Sequence, residues 1–276
     1  PTRRSSDLNH NEDILITSDI SFDHAKQLEL DSWSKNQVYE IVPDVGQKCV
    51  STRWVCSLKE SPSGVKPKAR LVARGFEDVS INEIQKDSPT CSTESMRTIL
   101  AVISQKQWSV QTMDIKTAFL QGAELSRTVY VKPPPEAKTT NVWKLKKCVY
   151  GLADASLSWY KRVSEVMTKT GAKVSQVDPA VFYWLDHNKE VQGILASHVD
   201  DFIWGGTVSL KQTIIPKIRE AFLVGREEED RFNYVGIEIQ QTDGVVMLKQ
   251  QKYCENLQSI SIDKTRQEQR DSALSD

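Results

Sequence analysis

The sequence predicts an α+β fold, an antiparallel sheet with helices packed on one face, and three observations lead there. Short β-prone runs are joined by local turn signals, Ser61-Pro62-Ser63-Gly64 and Thr242-Asp243-Gly244, so consecutive strands pair as hairpins. Amphipathic helical stretches fall between the runs without strict strand–helix–strand alternation, which argues against a parallel sheet. A chain of 276 residues, 39% hydrophobic and 26% charged, is long and apolar enough to bury a sizeable core.

In chain order, residues 22–33 read as a short helix with Ala25, Leu28 and Trp33 as its inward contacts. Residues 38–43 and 49–58 are β-prone, and the Ser61–Gly64 turn returns the chain along 66–74 as the second arm of a long hairpin. Residues 93–105 form a helix with Met96, Ile99, Leu100 and Ile103 on one face and Thr93 or Ser95 near its start. A strand over 108–113 ends at Asp114, and short strands over 129–131 and 142–145 flank Pro133-Pro134-Pro135. Residues 156–170 repeat Leu157, Tyr160, Val163 and Met167 at helical spacing, and Gly171 stops the helix. Strands follow over 181–185, 191–197 and 199–204, with Gly205-Gly206 as a flexible end or a turn. One helix is expected over 209–222, then a hairpin of 231–240 with 245–249, then a last helix over 252–260. Residues 1–8 resemble translated adapter sequence, and 263–276 are polar without an apolar period, so neither enters the fold.

Composition narrows the class. No apolar run approaches the roughly 18 residues that span a bilayer, and the start of the chain does not read as a signal peptide. The five cysteines are scattered without a CxxC pair, which argues against structural zinc or a disulfide framework and for a reducing, intracellular setting. Net charge is −1, but its distribution is uneven. Lys48, Arg53, Lys59, Lys66, Lys68, Arg70 and Arg74 lie near one acid, Glu60, while acid gathers at Glu227-Glu228-Glu229-Asp230. A basic hairpin is a poor core element and a good arm over a phosphate backbone. Solvated lysine on an ordinary surface gives the same pattern.

The chemistry concentrates in two places. His198-Val199-Asp200-Asp201-Phe202 sets adjacent carboxylates at the junction of two apolar strands, where burial is costly unless a cation compensates. Met113-Asp114-Ile115 ends another strand on an acid. Singly, each has an ordinary explanation, a solvated turn for the first and a helix N-cap for the second. Jointly, a strand-end carboxylate and an Asp-Asp hairpin suit two divalent cations held for phosphoryl transfer.

Further pieces stand in a fixed order along the chain. They are Arg53-Trp54-Val55, then Lys68-Ala69-Arg70-Leu71-Val72-Ala73-Arg74-Gly75-Phe76, then Asp87-Ser88-Pro89-Thr90. The stretch from Asp114 to Leu120 follows, then Val129-Tyr130-Val131 with Pro133-Pro134, and Tyr150-Gly151-Leu152 leading to Trp159-Tyr160. Asp178-Pro179-Ala180-Val181-Phe182 and His198-Val199-Asp200-Asp201 close the series. Over about residues 33–260 the chain resembles the reverse transcriptase domain of copia-type LTR retrotransposons.

The resemblance implies a right-hand polymerase: residues 22–107 as fingers, 108–249 mainly palm, 250–276 the start of a thumb, and 1–21 outside the fold. It implies RNA-directed DNA synthesis from a primer on an RNA or DNA template, with dNTPs as substrates and two Mg²⁺ ions (or Mn²⁺) on Asp114, Asp200 and Asp201. By the same resemblance Lys68, Arg70 and Arg74 approach the triphosphate, and Phe119 gates against the ribose 2′-hydroxyl. Asp154 falls at a nucleotide-contact position, and Tyr150, Gly151 and His198 face template and primer. RNase H and integrase regions of a Pol polyprotein, a cytoplasmic virus-like particle and no membrane complete that expectation. Two positions depart from the family pattern. His198 stands where Tyr is usual, and Ala153-Asp154 where Lys-Gln is usual; an Asp there could repel a triphosphate. A remnant that binds nucleic acid without polymerising, and a metal-dependent nuclease built on the same acids, remain the other readings.

Overall fold

In the computed structural model of the chain, which describes residues 21–61 and 64–257, the first element is helix α1 (Asp23–Lys35). Its buried stripe is Ala25, Glu29 and Trp33, spaced by four residues. Leu28, expected to face inward, is 55% exposed because it lies off that stripe, and an acid occupies the buried place instead. Strands β1 (Tyr39–Val42) and β2 (Cys49–Val50) follow, then the long ribbon of β3 (Thr52–Ser61) and β4 (Gly64–Ala73). Along β4, Ala69, Leu71 and Ala73 are buried while Lys66, Lys68 and Arg70 are exposed, the period of two expected of a strand with one dry face.

Helix α2 (Thr93–Gln105) has the predicted bounds and the predicted buried face. Its N-cap is Ser92, whose hydroxyl accepts from the Ser95 amide. Full burial of Met96, Ile99, Leu100 and Ile103 contributes about 1.5–3 kcal/mol per side chain. Then come β5 (Gln111–Ile115), β6 (Tyr130–Val131), β7 (Val142–Leu145) and helix α3 (Ala155–Lys169), which ends before Gly171 at a φ of +90°. Strands β8 (Lys173–Val174), β9 (Val181–Leu185), β10 (Val191–His198) and β11 (Asp201–Gly206) build the next layer.

The helix expected over 209–222 is two: α4 (Val208–Thr213) and α5 (Ile215–Ala221). The break falls at Ile214, just before Pro216, which lacks the amide hydrogen and starts a new first turn. Strand β12 (Val224–Glu229) was not expected at all, since its acids carry no apolar alternation; it is an edge strand, where charge discourages further pairing. The expected strand over 231–240 is a hairpin of its own, β13 (Arg231–Tyr234) and β14 (Ile237–Thr242), turning on Val235 and Gly236 with φ of +47° and +77°. After β15 (Val245–Lys249), helix α6 (Gln251–Glu255) starts one residue before the last expected helix and ends at its C-cap Asn256, earlier than expected; residues 258–260 of that expectation lie outside the described residues. The segments 1–20 and 258–276 lie outside them too, and with them the expectations for both chain ends.

Six strands run β12-β5-β11-β10-β9-β8, every neighbouring pair antiparallel. A four-stranded sheet, β1-β7-β6-β2, is mixed, with β2 and β6 parallel. The fold is therefore α+β, as expected, but the helices lie on both faces of the large sheet rather than one. Met113, Ile115, Phe202 and Trp204 pack with Trp159, Val163 and Met167 of α3 and Ile218 of α5. On the other face Ala196 and Ile203 meet α2, Phe232 and Ile239. The cause is visible in β11, where Phe202-Ile203-Trp204 is apolar on both sides, so each face needs cover. Gly205 and Gly206 are strand residues rather than a turn or a flexible end. An added Cβ would meet Ile103 Cγ1 at 2.7 Å from the first and Leu210 Cδ2 at 2.9 Å from the second, so they let a helix approach on each face. A separate core of Trp33, Val50, Leu71, Val131, Trp143 and Leu145 joins α1, the four-stranded sheet and the base of the β3–β4 ribbon. Among the described residues no helix is long and apolar enough to cross a membrane.

Candidate active site

Strand β5 lies between β11 and β12, and its alternation decides where Asp114 goes. Met113 and Ile115 enter the core with α3, so Asp114 belongs to the opposite face. On β11 the register sets Asp201 directly across from Asp114. Side chains so paired have Cβ atoms about 4.5–5.5 Å apart, which brings the two carboxylates into one patch.

Asp200 sits in the turn between β10 and β11, which His198 and Asp201 close as a cross-strand pair. Its carbonyl accepts from the Ile115 amide at 2.8 Å, fastening the turn to β5. Val199, the other turn residue, has a φ of +56°, a left-handed conformation that a β-branched side chain adopts only under constraint. The constraint is visible: the Trp159 indole N–H donates to the Val199 carbonyl at 2.7 Å, and the Ser197 hydroxyl donates to it at 3.3 Å. The Tyr234 hydroxyl donates to the Asp201 carbonyl at 3.3 Å. Three residues beyond Asp114, Thr117 is also left-handed, with a φ of +49°, and its buried hydroxyl has no hydrogen-bond partner among the described residues. Two strained β-branched residues thus flank the three acids, a pattern typical of functional sites.

Burial raises Asp201 above the usual carboxylate range, and the charges of Asp200 and Asp114 raise it further; His198 and Arg226 oppose this. None of the three carboxylates forms a hydrogen bond or ion pair with a described side chain. Among the described residues no group of three or more His, Cys, Asp or Glu side chains is already arranged to hold a metal ion. The donor chemistry nevertheless fits a hard divalent cation: half-buried oxygen ligands, crowded like charge, and no protein cation bonded to them. Mg²⁺ in such sites keeps waters and substrate phosphates in most of its positions, so a complete protein cage is not required.

The basic ribbon stands close to this patch. The Lys68 ammonium feels Asp114, and burial together with Arg70 and Lys59 lowers its pKa. The Arg70 guanidinium lies over the Tyr150 ring, 5.1 Å from its centre, and Tyr150 meets the Phe119 ring edge-on at 5.1 Å. Burial pushes the Tyr150 phenol up to about 12. Arg74 is exposed at the foot of β4 and lines an open cleft of about 490 Å³ with Arg53, Phe76 and Gly151. At that foot two glycines cross. A Cβ on Gly75 would lie 2.1 Å from the Gly151 carbonyl oxygen, and one on Gly151, whose φ is +93°, would lie 2.0 Å from that of Ala73.

Asp154 is differently placed from the three free acids. Both its oxygens accept from Arg127, at 3.0 and 2.9 Å, and the same guanidinium donates to Asp78 at 2.6 Å. Burial opposes ionisation of Asp154, but the Arg127 bonds and charge outweigh it and hold the carboxyl below its usual range. Sequence reasoning missed Arg127 because nothing local marks one arginine as a partner for acids 49 and 27 residues away. Trp159 was visible only as part of a Trp-Tyr motif; its indole donor depends on a fold contact across 40 residues.

A family model described as reverse transcriptase (RNA-dependent DNA polymerase) matches residues 36–266. The chain belongs to the reverse transcriptase family. It is 29% identical over 251 residues to the retrovirus-related Pol polyprotein from transposon RE2 of Arabidopsis thaliana, covering 87% of this chain and 17% of that protein. The corresponding Pol polyprotein from transposon TNT 1-94 of Nicotiana tabacum is 30% identical over 249 residues, covering 84% and 18%. The transposon Ty1-BL Gag-Pol polyprotein of Saccharomyces cerevisiae is 23% identical over 230 residues, covering 80% and 12%. Among solved structures, telomerase from Candida albicans in complex with a fragment of telomeric RNA aligns with a TM-score of 0.47 at 8% identity, over 83% of this chain and 51% of that one. This reverse transcriptase domain, of the copia type carried by transposon Pol polyproteins, thus spans less than a fifth of the relatives' length. The family match begins just after α1, continues past α6 and takes in Asp114, the Asp200-Asp201 turn and the basic ribbon.

Proposed function

We propose that this domain extends a primer by nucleotidyl transfer from dNTPs on an RNA or DNA template, using Asp114, Asp200 and Asp201 to bind two divalent cations, Mg²⁺ by preference. The observation that carries the reading is the direct opposition of Asp114 and Asp201 on neighbouring strands, with Asp200 in the adjoining turn and, among the described residues, no side-chain cation bonded to them. When bound, such cations supply Lewis acidity at the primer 3′-hydroxyl and charge neutralisation at the leaving pyrophosphate.

The chain's own residues do the rest. Asp114 is fixed by its strand and Asp200 by the main-chain bond to Ile115, so both carboxylates are presented at little reorganisation cost. Lys68 and Arg70 on the exposed face of β4, with Arg74 at its foot, bind the triphosphate. Phe119, braced edge-on by Tyr150, bars the ribose 2′-hydroxyl. Tyr150, Gly151 and His198 lie along the template and primer. Asp154 enters the nucleotide side only as half of its ion pair with Arg127, so its charge does not repel the triphosphate. On this reading residues 22–107 are fingers, joined in the four-stranded sheet by β6 and β7, while 108–249 are mainly palm and 250–276 begin the thumb. RNase H and integrase regions of a longer Pol polyprotein, and assembly into a cytoplasmic virus-like particle, belong to the same proposal.

Primer extension on poly(rA)/oligo(dT), with and without Mg²⁺ or Mn²⁺, tests it against an Asp200→Asn variant. The expected result is metal-dependent dTMP incorporation by the parent and none by the variant, with primer-template binding retained in both. Equal loss of binding and extension in the variant refutes the metal assignment. Binding by the parent without extension favours a nucleic-acid-binding remnant, and degradation of the primer-template without dNTPs favours a nuclease.

A further inference from the structure

Strand β12 pairs with β5 through a bulge. Val224 faces Ile115, but the next partner is Glu227 with Met113, so Gly225 and Arg226 together stand opposite Asp114. Bulges beside active sites redirect side chains. At Gly225 the backbone does not call for glycine, because its φ is not among the positive values of the chain. Space does call for it. A Cβ there would lie 2.3 Å from Asp114 Oδ2, with the next atoms, Lys116 Cγ and the Asp114 carbonyl oxygen, at 3.1 and 3.2 Å. The missing side chain is therefore a notch, and the Asp114 carboxylate is what fills it.

We propose that Gly225 is a positioning residue for Asp114: the bulged glycine provides the recess that seats this carboxylate on the β12 side of β5, on the sheet face it shares with Asp201. The proposal rests on the metal-binding reading above. It explains why the bulge falls opposite the one acid of β5. Any side chain at 225 must push the carboxylate out of that recess. It can do so without unfolding the strand, because the closest atom is the free end of a side chain rather than backbone.

The test is Mn²⁺ binding to the metal-free chain, followed by electron paramagnetic resonance of the free ion, for the parent, Gly225→Ala, Asp114→Ala and the double variant. Thermal midpoints are measured in parallel. Gly225→Ala is expected to weaken Mn²⁺ binding about 10–100-fold, the range for residues that orient a ligand, with a midpoint near the parent's. The double variant is expected to bind no more weakly than Asp114→Ala alone, since the notch acts only through that carboxylate. Parental affinity in Gly225→Ala alongside weakened binding in Asp114→Ala overturns the notch and leaves the metal site standing. Parental affinity in Asp114→Ala removes the metal site and the notch with it. A Gly225→Ala chain that fails to fold overturns the proposal as well, because the backbone, not the carboxylate, would then be what the Cβ meets.

Discussion

Replacing Trp159 by Phe removes one hydrogen-bond donor from beneath the Asp200 turn while leaving an aromatic ring in the core. The indole N–H donates to the Val199 carbonyl at 2.7 Å, and the Ser197 hydroxyl, at 3.3 Å, is too distant to take over that bond. Leaving this half-buried carbonyl with only the long Ser197 bond costs about 1–3 kcal/mol. The smaller ring leaves roughly 40 Å³ beside Phe222, which at about 24 cal/mol per Å³ adds about 1 kcal/mol. The variant should therefore be about 2–4 kcal/mol less stable in urea unfolding. The effect on chemistry is separate. Val199 holds a left-handed conformation worth on the order of 1–3 kcal/mol of strain, and it relaxes once the clamp is gone, carrying Asp200 with it. A displacement of about 1 Å in a reacting constellation lowers rate by about a hundredfold. Single-turnover primer extension reads this directly. Stability lowered as worked but extension within about twofold of the parent would refute the claim that Trp159 holds the catalytic turn.

Three further outcomes follow from the same geometry. Glu29 is buried, accepts from the Trp33 indole at 3.1 Å and the Leu71 amide at 3.3 Å, and burial raises its pKa. An acid so raised binds its proton more tightly when folded, so its contribution to stability falls as pH rises from its unfolded value through its folded one. Glu29→Gln keeps both acceptor bonds and lacks that loss, so in urea unfolding its advantage over the parent should grow as pH rises above the usual carboxylate range; a gap independent of pH would disprove the assignment. Arg127→Met leaves Asp78 and Asp154 buried without a counter-charge and should lower stability by about 3–5 kcal/mol, with partial recovery on adding Asp154→Asn; thermal unfolding of both variants decides it. Phe119→Val should admit ribonucleotides, seen as a rise in rNTP over dNTP incorporation in primer extension, whereas unchanged sugar discrimination removes Phe119 from the gate.

Legibility in the sequence followed periodicity and local chemistry. Helix α2 was readable because four apolar residues recur on one face and nothing interrupts them. The three aspartates were readable as odd residues in or beside apolar strands, and the register of β5 with β11, strands far apart in the chain, sets two of them opposite each other. Readings failed where a tertiary contact overrode a local pattern. Leu28 suited an apolar face by type, yet the buried place went to Glu29, because Trp33 and the β4 backbone supply donors for an acid there. Strand β12 has no apolar alternation and is held by edge pairing to β5 and by the ion pairs Arg219–Glu227 and Lys211–Glu229. Pro216 was visible and should have broken the helix over 209–222; the run of Leu210, Ile214 and Ile218 obscured it. Asp154 was read as a free charge because its partner, Arg127, is distant in sequence. The helices on both faces of the sheet were foreshadowed by Phe202-Ile203-Trp204, which has no polar side at all.

The crossing of Gly75 and Gly151 has a mechanical consequence. With no side chain between them, the foot of the β3–β4 ribbon rests main chain against main chain, and the Ala73 amide is bonded to the Tyr150 carbonyl at 2.8 Å. A junction of that kind has no rotamers to exchange and no soft layer in which to slide. The ribbon is consequently a lever with a fixed fulcrum: its outer half can bend, but its root cannot travel. The Tyr150 ring, with the Arg70 guanidinium over its face and the Phe119 ring at its edge, is tied to that same fixed root.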